Sequence, residues 1–133
     1  MTDNEIFQGV CESLSNALDI PTEDIKETDK IIDDLGADSL DLLDLIFQLE
    51  QKFKIKIKPG DIERRTKAEL GDVPLTVDGV YTPEALELVR KHLPEVPSGE
   101  LPENFQASKL PRVFRVKTFM NLVKRVVEEK ENV

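Results

Sequence analysis

Residues 33–57, DDLGADSLDLLDLIFQLEQKFKIKI, contain the strongest structural pattern in the sequence. From Ser39 to Phe53 the apolar side chains recur at helical spacing and predict an amphipathic helix. Its apolar arc consists of Leu42, Leu43, Leu45, Ile46, Leu49 and Phe53. Glu50 falls on the same arc, and nothing in the sequence explains a carboxylate there. From Lys52 to Lys58 lysines alternate with apolar residues, which predicts an extended segment.

The start of this helix is a candidate site. Gly36 allows the chain to turn, and Asp38 and Ser39 stand where the helix begins. The first N–H groups of a helix lack intrahelical acceptors, and the helix dipole favours an anion there, such as a phosphodiester on Ser39. A simpler interpretation is that Asp38 or Ser39 is an N-cap, and this feature alone favours that interpretation.

A second amphipathic helix precedes this stretch. Thr2 or Asp3 is suited to cap it, and it is expected to end near Asp19, before Pro21. Its apolar face consists of Ile6, Phe7, Val10, Leu14, Ala17 and Leu18, with Cys11 at the rim. A long polar connection with scattered isoleucines then leads to the central helix.

Further helices are predicted after the central one. A short helix is predicted from Asp61 toward Leu70, and Thr82 and Pro83 begin a helix that continues to Leu93. Six of the eight prolines lie between residues 71 and 112, so most of that stretch is expected to be loop. Thr118 is suited to cap a final amphipathic helix.

Composition and charge exclude several kinds of protein. One cysteine and one histidine in 133 residues cannot form an intramolecular disulfide or a Cys/His zinc site. The first 51 residues contain 14 acidic and 2 basic side chains, a net charge of −12, which disfavours nucleic acid and anionic membrane and favours a basic protein surface. An acidic start and the lack of any apolar run of roughly 20 residues predict a cytoplasmic protein without a membrane segment.

The stretch from Asp33 to Ile57 resembles the acyl carrier proteins, which attach their prosthetic group to a serine in Asp-Ser-Leu at the start of the second helix. Here that triplet is Asp38-Ser39-Leu40, with Leu-Gly-Ala before it and an acidic amphipathic helix after it. The resemblance covers residues 1 to about 57 and returns at 117–127. It implies an all-α, acyl-carrier-protein-like small helical bundle with a long loop between helices 1 and 2 and an additional inserted helix.

The resemblance also implies a function. Ser39, with Asp38 beside it, would receive 4′-phosphopantetheine from coenzyme A, and the arm would carry acyl groups as thioesters without any catalysis by the chain itself. The implied partners are a phosphopantetheinyl transferase and acyl-chain synthases and acyltransferases with basic docking surfaces, acting on a monomer. The residues expected to contact these partners are Leu40, Asp41, Asp44 and Phe47. Phe47 is as well suited to the core as to such a contact.

Two features depart from the family. Lysines replace the acidic residues that usually follow the second helix, and they either bind a distinct partner, neutralise the acidic half or are simply solvated. We expect residues 1–133 to form a single carrier domain, with its core at 1–67 and 113–130 and an insertion over about 68–112. The inserted helix has enough aliphatic surface to reshape the acyl pocket, which suggests a specialised carrier for an unusual or long chain in fatty-acid or lipid biosynthesis.

Two alternative functions remain open from sequence. A helical adaptor without a prosthetic group would share every feature except the modification. A serine esterase of the Gly-Asp-Ser-Leu type is disfavoured, because Ala37 replaces the glycine and His92 lacks an Asp-x-x-His setting. His92 is expected to have a structural role at the end of its helix, bonded to the last carbonyls.

Overall fold

A computed structural model describes residues 1–58 and 60–131. Its helices are α1 (Asp3–Leu18), α2 (Ser39–Phe53), α3 (Asp61–Leu70), α4 (Pro83–His92) and α5 (Val116–Glu131). Strands β1 (Thr76–Val77) and β2 (Val80–Tyr81) form a small hairpin, and short 3₁₀ helices occupy Thr22–Asp24, Ser98–Glu100 and Ala107–Val113. The mainly helical fold confirms the predicted class, whereas the hairpin and the 3₁₀ helices were not predicted.

The contacts divide the chain into two compact units. Unit 1 comprises Met1–Ile57 and the chain from Phe114 onward, and unit 2 comprises Lys58–Val113. We expected an insertion beginning near residue 68, but this division begins ten residues earlier because α3 packs against α4. A single carrier domain, as expected from the sequence, stays a prediction.

Unit 1 is built from α1, α2 and α5. Thr2 caps α1 as predicted, in a reciprocal capping box with Glu5. The core is aliphatic with few aromatic rings, and its fully or nearly fully buried members include Ile6, Val10, Leu14, Ile31, Leu45, Leu49, Val116, Phe119 and Val123. Cys11 is 4% exposed and lies within this core, so its expected place at the rim was wrong. The helix carries it inward because it follows Val10 and precedes Leu14 on the buried face.

A close approach sets the spacing of α1 and α2. Gly9 is buried, and a Cβ atom built on it would lie 2.3 Å from Cζ of Phe53. Any side chain at residue 9 would therefore displace the ring that closes the C-terminal end of α2. The glycine is required here for space, since its backbone lies within a regular helix.

The last helix begins earlier than predicted. α5 starts at Val116, and Oγ1 of Thr118 accepts a hydrogen bond from the Arg115 N–H at 3.0 Å. The N–H of Val116 donates to the Asp29 carbonyl at 3.0 Å, so the long connection between α1 and α2 is tied to the start of α5. Long-range backbone bonds of this kind have no sequence signature, which is why a cap at Thr118 placed the start of the helix three residues too late.

The segment after α2 explains the buried position of Glu50. An extended segment was expected from Lys52, but Lys52 and Phe53 belong to α2, and Lys54 caps the helix in a left-handed conformation with a φ of 55°. After the helix, exposed Lys54 and Lys56 alternate with buried Ile55 and Ile57 as predicted. Oε2 of Glu50 accepts the Ile57 N–H at 3.0 Å, so the carboxylate on the apolar arc fixes the segment that follows α2.

Unit 2 has a core of its own. Ala85, Leu86 and Val89 of α4 are buried, Leu88 is half-buried, and α4 packs against α3, as the predicted amphipathic pattern requires. Tyr81 stacks on Phe105 with ring centroids 6.3 Å apart, and its hydroxyl lies 3.4 Å from Oε1 of Glu63. Burial and this carboxylate raise the pKa of the Tyr81 phenol. His92 Nε2 lies 3.2 Å from Oε1 of Glu69, so the ring faces a carboxylate of α3 and not the helix carbonyls we expected.

No helix in the described residues is long and apolar enough to cross a membrane.

Candidate functional site

Asp38 is the N-cap of α2, which leaves the Ser39 hydroxyl free of a capping role. Oδ1 of Asp38 accepts the Asp41 N–H at 2.9 Å, and Oδ2 of Asp41 accepts the Asp38 N–H at 3.0 Å. The sequence left open whether Asp38 or Ser39 caps the helix. This reciprocal capping box assigns the role to Asp38 and makes Ser39 the first residue of α2.

The preceding loop presents this helix start. Gly36 has a φ of 77°, a left-handed conformation that glycine adopts without a steric penalty. The Gly36 N–H donates to the Ile32 carbonyl and the Ala37 N–H to the Ile31 carbonyl, at 3.0 and 3.1 Å. Because Ile31 and Ala37 are both buried, the loop is anchored in the core immediately before the candidate residue.

Ser39 differs from the other serines of unit 1. Three serines lie in this unit. Oγ of Ser13 donates to a backbone carbonyl at 2.9 Å, and Oγ of Ser15 donates to another at 2.5 Å. Ser39 is exposed, and its hydroxyl has no hydrogen-bond partner among the described residues. It is therefore the one of the three that is available for modification.

The backbone around Ser39 suits an anionic substituent. The N–H groups of Ser39 and Leu40 precede the first intrahelical bond, and neither meets an acceptor within residues 1–58 and 60–131. These donors and the positive end of the helix dipole favour a negative group at the Ser39 Oγ. The residues present thus fit a phosphate ester.

An exposed apolar stripe follows the candidate serine along α2. Leu40, Leu43 and Phe47 are 74%, 66% and 55% exposed, and their spacing places them on one face. Phe47, which the sequence left between core and surface, is therefore on the surface. Leu43 was expected in the core arc, and this was wrong. Its spacing from Leu40 and Phe47 is the signal that would have placed it in the stripe.

Acidic side chains border this stripe. Asp44 is exposed and Asp41 is half-buried, and both lie on the same first half of α2 as Leu40 and Leu43. Asp41 also completes the capping box. The surface next to Ser39 is thus apolar along its centre and acidic along its border, which suits a partner with exposed apolar side chains and basic residues around them.

Cys11 and His92 were expected to have structural roles only. Burial raises the pKa of the Cys11 thiol to about 11, so it is a poor nucleophile near neutral pH. His92 belongs to unit 2 and faces Glu69. Among the described residues, no group of three or more His, Cys, Asp or Glu side chains is placed to hold a metal ion.

Comparisons with known proteins agree on the carrier half. Residues 8–73 match the family described as "Phosphopantetheine attachment site". An acyl carrier protein of Thermotoga maritima is 43% identical over 60 residues, which cover 45% of this chain and 74% of the relative. An acyl carrier protein of Wolinella succinogenes is 43% identical over 68 residues, which cover 51% of this chain and 87% of the relative. One from Sulfurovum sp. is 37% identical over 75 residues, which cover 56% of this chain and 97% of the relative. The family match ends before β1 and thus leaves most of unit 2 unmatched.

Proposed function

Because the chain belongs to the acyl carrier protein family, we propose that it carries acyl groups as thioesters on an arm attached to Ser39. Membership of this family implies that the arm is a covalently attached 4′-phosphopantetheine. The observation that carries this assignment is the availability of the hydroxyl. Of the three serines within the matched residues, two donate their hydroxyl protons to carbonyl oxygens, and Ser39 is exposed at a helix start.

The chain positions the Ser39 hydroxyl for modification and places backbone N–H groups with partial positive charge beside it. The ester forms at Oγ of Ser39: the new Oγ–P bond replaces the pyrophosphate P–O bond of coenzyme A, adenosine 3′,5′-bisphosphate leaves, and the hydroxyl proton passes to a base of the transferase. Asp38 does not compete with the phosphate for the N–H groups of Ser39 and Leu40, because its carboxylate accepts the Asp41 N–H instead. The free N–H groups of Ser39 and Leu40 are left to face the ester. When bound, the arm supplies a thiol that holds the acyl group.

The chain itself is proposed to catalyse no step. Its single histidine belongs to unit 2, and its single thiol is buried with a raised pKa. The carboxylates of Asp38 and Asp41 hold each other's backbone N–H groups in the capping box. The general base is proposed to come from a separate transferase.

Partner enzymes are proposed to dock on the stripe of Leu40, Leu43 and Phe47. A phosphopantetheinyl transferase, synthases and acyltransferases with basic surfaces would meet its acidic border at Asp41 and Asp44. The exposed side chains together offer apolar contact, while the carboxylates favour association at low salt. The location next to Ser39 supports this assignment, since each partner must reach the same residue.

A specialised acyl chain is part of the proposal. The aliphatic core of unit 1 would shelter the chain, and each buried CH₂ group would contribute roughly 0.8 kcal/mol. The helix face that was expected to reshape the acyl pocket is buried within unit 2, at Ala85, Leu86 and Val89 of α4. Mass spectrometry of protein isolated from its own host would identify the chain. Recovery of only short, common acyl groups would contradict specialisation.

The attachment is tested by incubating the apo protein with coenzyme A and a promiscuous phosphopantetheinyl transferase. The wild type is expected to gain the mass of one phosphopantetheine group, and Ser39→Ala is expected to gain none. Ser98→Ala removes another exposed serine and is the matched control, expected to be modified like the wild type. Circular dichroism checks that each variant is folded. Modification of a folded Ser39→Ala, or no modification of the wild type, would contradict the proposal and favour an adaptor without a prosthetic group.

A further inference from the structure

A groove of about 710 Å³ lies at the end of unit 1 where α2 and α5 terminate. Its lining residues are Glu50, Gln51, Lys54, Ile55, Lys56, Val126, Glu129 and Lys130. From Ser39 to Phe53 α2 rises 1.5 Å per residue, which separates this end of the helix from the serine by about 21 Å. The groove is therefore distinct from the surface that surrounds Ser39.

Two of the three lysines that line this groove have free ammonium groups. Lys54 and Lys56 are exposed, and their ammonium groups have no partner within the described parts of the chain. The carboxylates are engaged: Glu50 accepts the Ile57 N–H, and Glu129 has an interaction partner of its own. Lys130 Nζ donates to the Lys54 carbonyl at 2.7 Å and thereby holds α5 to the C-terminal end of α2. The lining thus carries three positive and two negative side chains, in a unit whose first 51 residues have a net charge of −12.

The groove also has an apolar part. Ile55 is 6% exposed, and Val126 is half-buried on α5. Exposed Lys54 and Lys56 stand on either side of buried Ile55 in the chain. A ligand with an aliphatic group between two carboxylates would therefore match both the charge and the apolar surface.

We propose that this basic groove binds an acidic segment of a partner protein, in which carboxylates flank an aliphatic side chain. A short segment fits better than an extended polyanion, because nucleic acid or a membrane surface would also approach the acidic remainder of unit 1 and be repelled. The groove would hold the carrier at one end of α2 and leave the Ser39 end accessible to enzymes. This purpose rests on the proposed carrier function, whereas the binding itself does not.

The test measures fluorescence anisotropy of a labelled peptide, Gly-Glu-Glu-Leu-Glu-Glu-Gly, titrated with the full-length protein at low salt. Lys54→Glu combined with Lys56→Glu is compared with Lys26→Glu combined with Lys109→Glu. Both pairs replace exposed lysines and change the net charge from −9 to −13. We expect the groove variant to lose about tenfold or more in affinity and the control less than about threefold, with binding that weakens as salt rises.

Several results would overturn the proposal. Equal loss in both variants would mean that only the overall charge matters, and no peptide binding would remove the site. Binding to vesicles containing phosphatidylserine through Lys54 and Lys56, without peptide binding, would identify a lipid surface. Self-association in sedimentation, abolished by the groove variant, would identify a second copy.

Failure of this site is distinguishable from failure of the carrier assignment. Ser39→Ala should bind the peptide like the wild type, and the groove variant should still accept phosphopantetheine at Ser39. A groove variant that cannot be loaded would contradict the separation of the two surfaces.

Discussion

Replacing Asp38 by alanine tests how the helix start presents Ser39. The substitution removes both capping interactions of that side chain: the hydrogen bond from the Asp41 N–H and the negative charge at the positive end of α2. Loss of an N-cap costs about 1 kcal/mol, and loss of the charge costs about 0.3–1 kcal/mol. We therefore expect Asp38→Ala to lower the free energy of unfolding by about 1.5 kcal/mol.

Asp38→Asn is the informative control because it keeps a side-chain acceptor and removes only the charge. Its expected cost is about 0.3–1 kcal/mol. Urea denaturation followed by circular dichroism measures both variants. In parallel, the rate of phosphopantetheine loading should fall by at most about tenfold in Asp38→Ala, since 1.4 kcal/mol corresponds to a factor of ten, and should largely recover in Asp38→Asn. Equal effects of the two substitutions, or no loss of stability in Asp38→Ala, would refute the capping explanation.

Three further predictions concern packing, docking and pH. In Gly9→Ala the clash with Phe53 should lower the free energy of unfolding by about 1–3 kcal/mol, and the better helix propensity of alanine should offset up to about 1 kcal/mol of this loss. Chemical denaturation measures the net change, and a stabilised variant would contradict the close approach of Gly9 and Phe53. Leu43 is 66% exposed, so Leu43→Gln should change the free energy of unfolding by less than about 0.5 kcal/mol but slow the loading of phosphopantetheine by the transferase several-fold. An unchanged loading rate would remove Leu43 from the docking surface. The folded-state pKa of Cys11 is raised from about 9 to about 11, so the thiol ionises first in the unfolded chain and stability should fall as pH rises through this window. The fall should be shallower in Cys11→Ala, and equal slopes would place the titration elsewhere.

The helical pattern was predictable because hydrophobic periodicity is local. The start and end of α2 match the expected residues Ser39 and Phe53, and the caps of α1 and α4 were identified from Thr2 and Thr82. Each depends on side chains within one turn, so the sequence contains the necessary information.

Features that depend on contacts distant in sequence were not predictable. α5 begins at Val116 because its backbone pairs with the α1–α2 connection. Leu43 was wrongly assigned to the core, because the sequence of a broad apolar arc does not show which edge of the arc the neighbouring helices cover. The role of Glu50 required knowing that the chain returns to it at Ile57.

The candidate site was predictable in part for the same reason. The resemblance identified Ser39, but only the structure shows that Asp38 takes the capping role and leaves the hydroxyl free. The basic groove combines residues 50–56 with residues 126–130, which the sequence separates by some 70 residues. A lysine-rich segment alone did not distinguish a binding surface from a solvated one.

The central claim is that one hydroxyl, on Ser39, carries the arm. Proteolysis of the modified protein followed by tandem mass spectrometry of its peptides locates the added group directly. We predict a phosphopantetheine on the peptide that contains Ser39 and on no other. The same group found on a different serine, with the Ser39 peptide unmodified, would contradict the account.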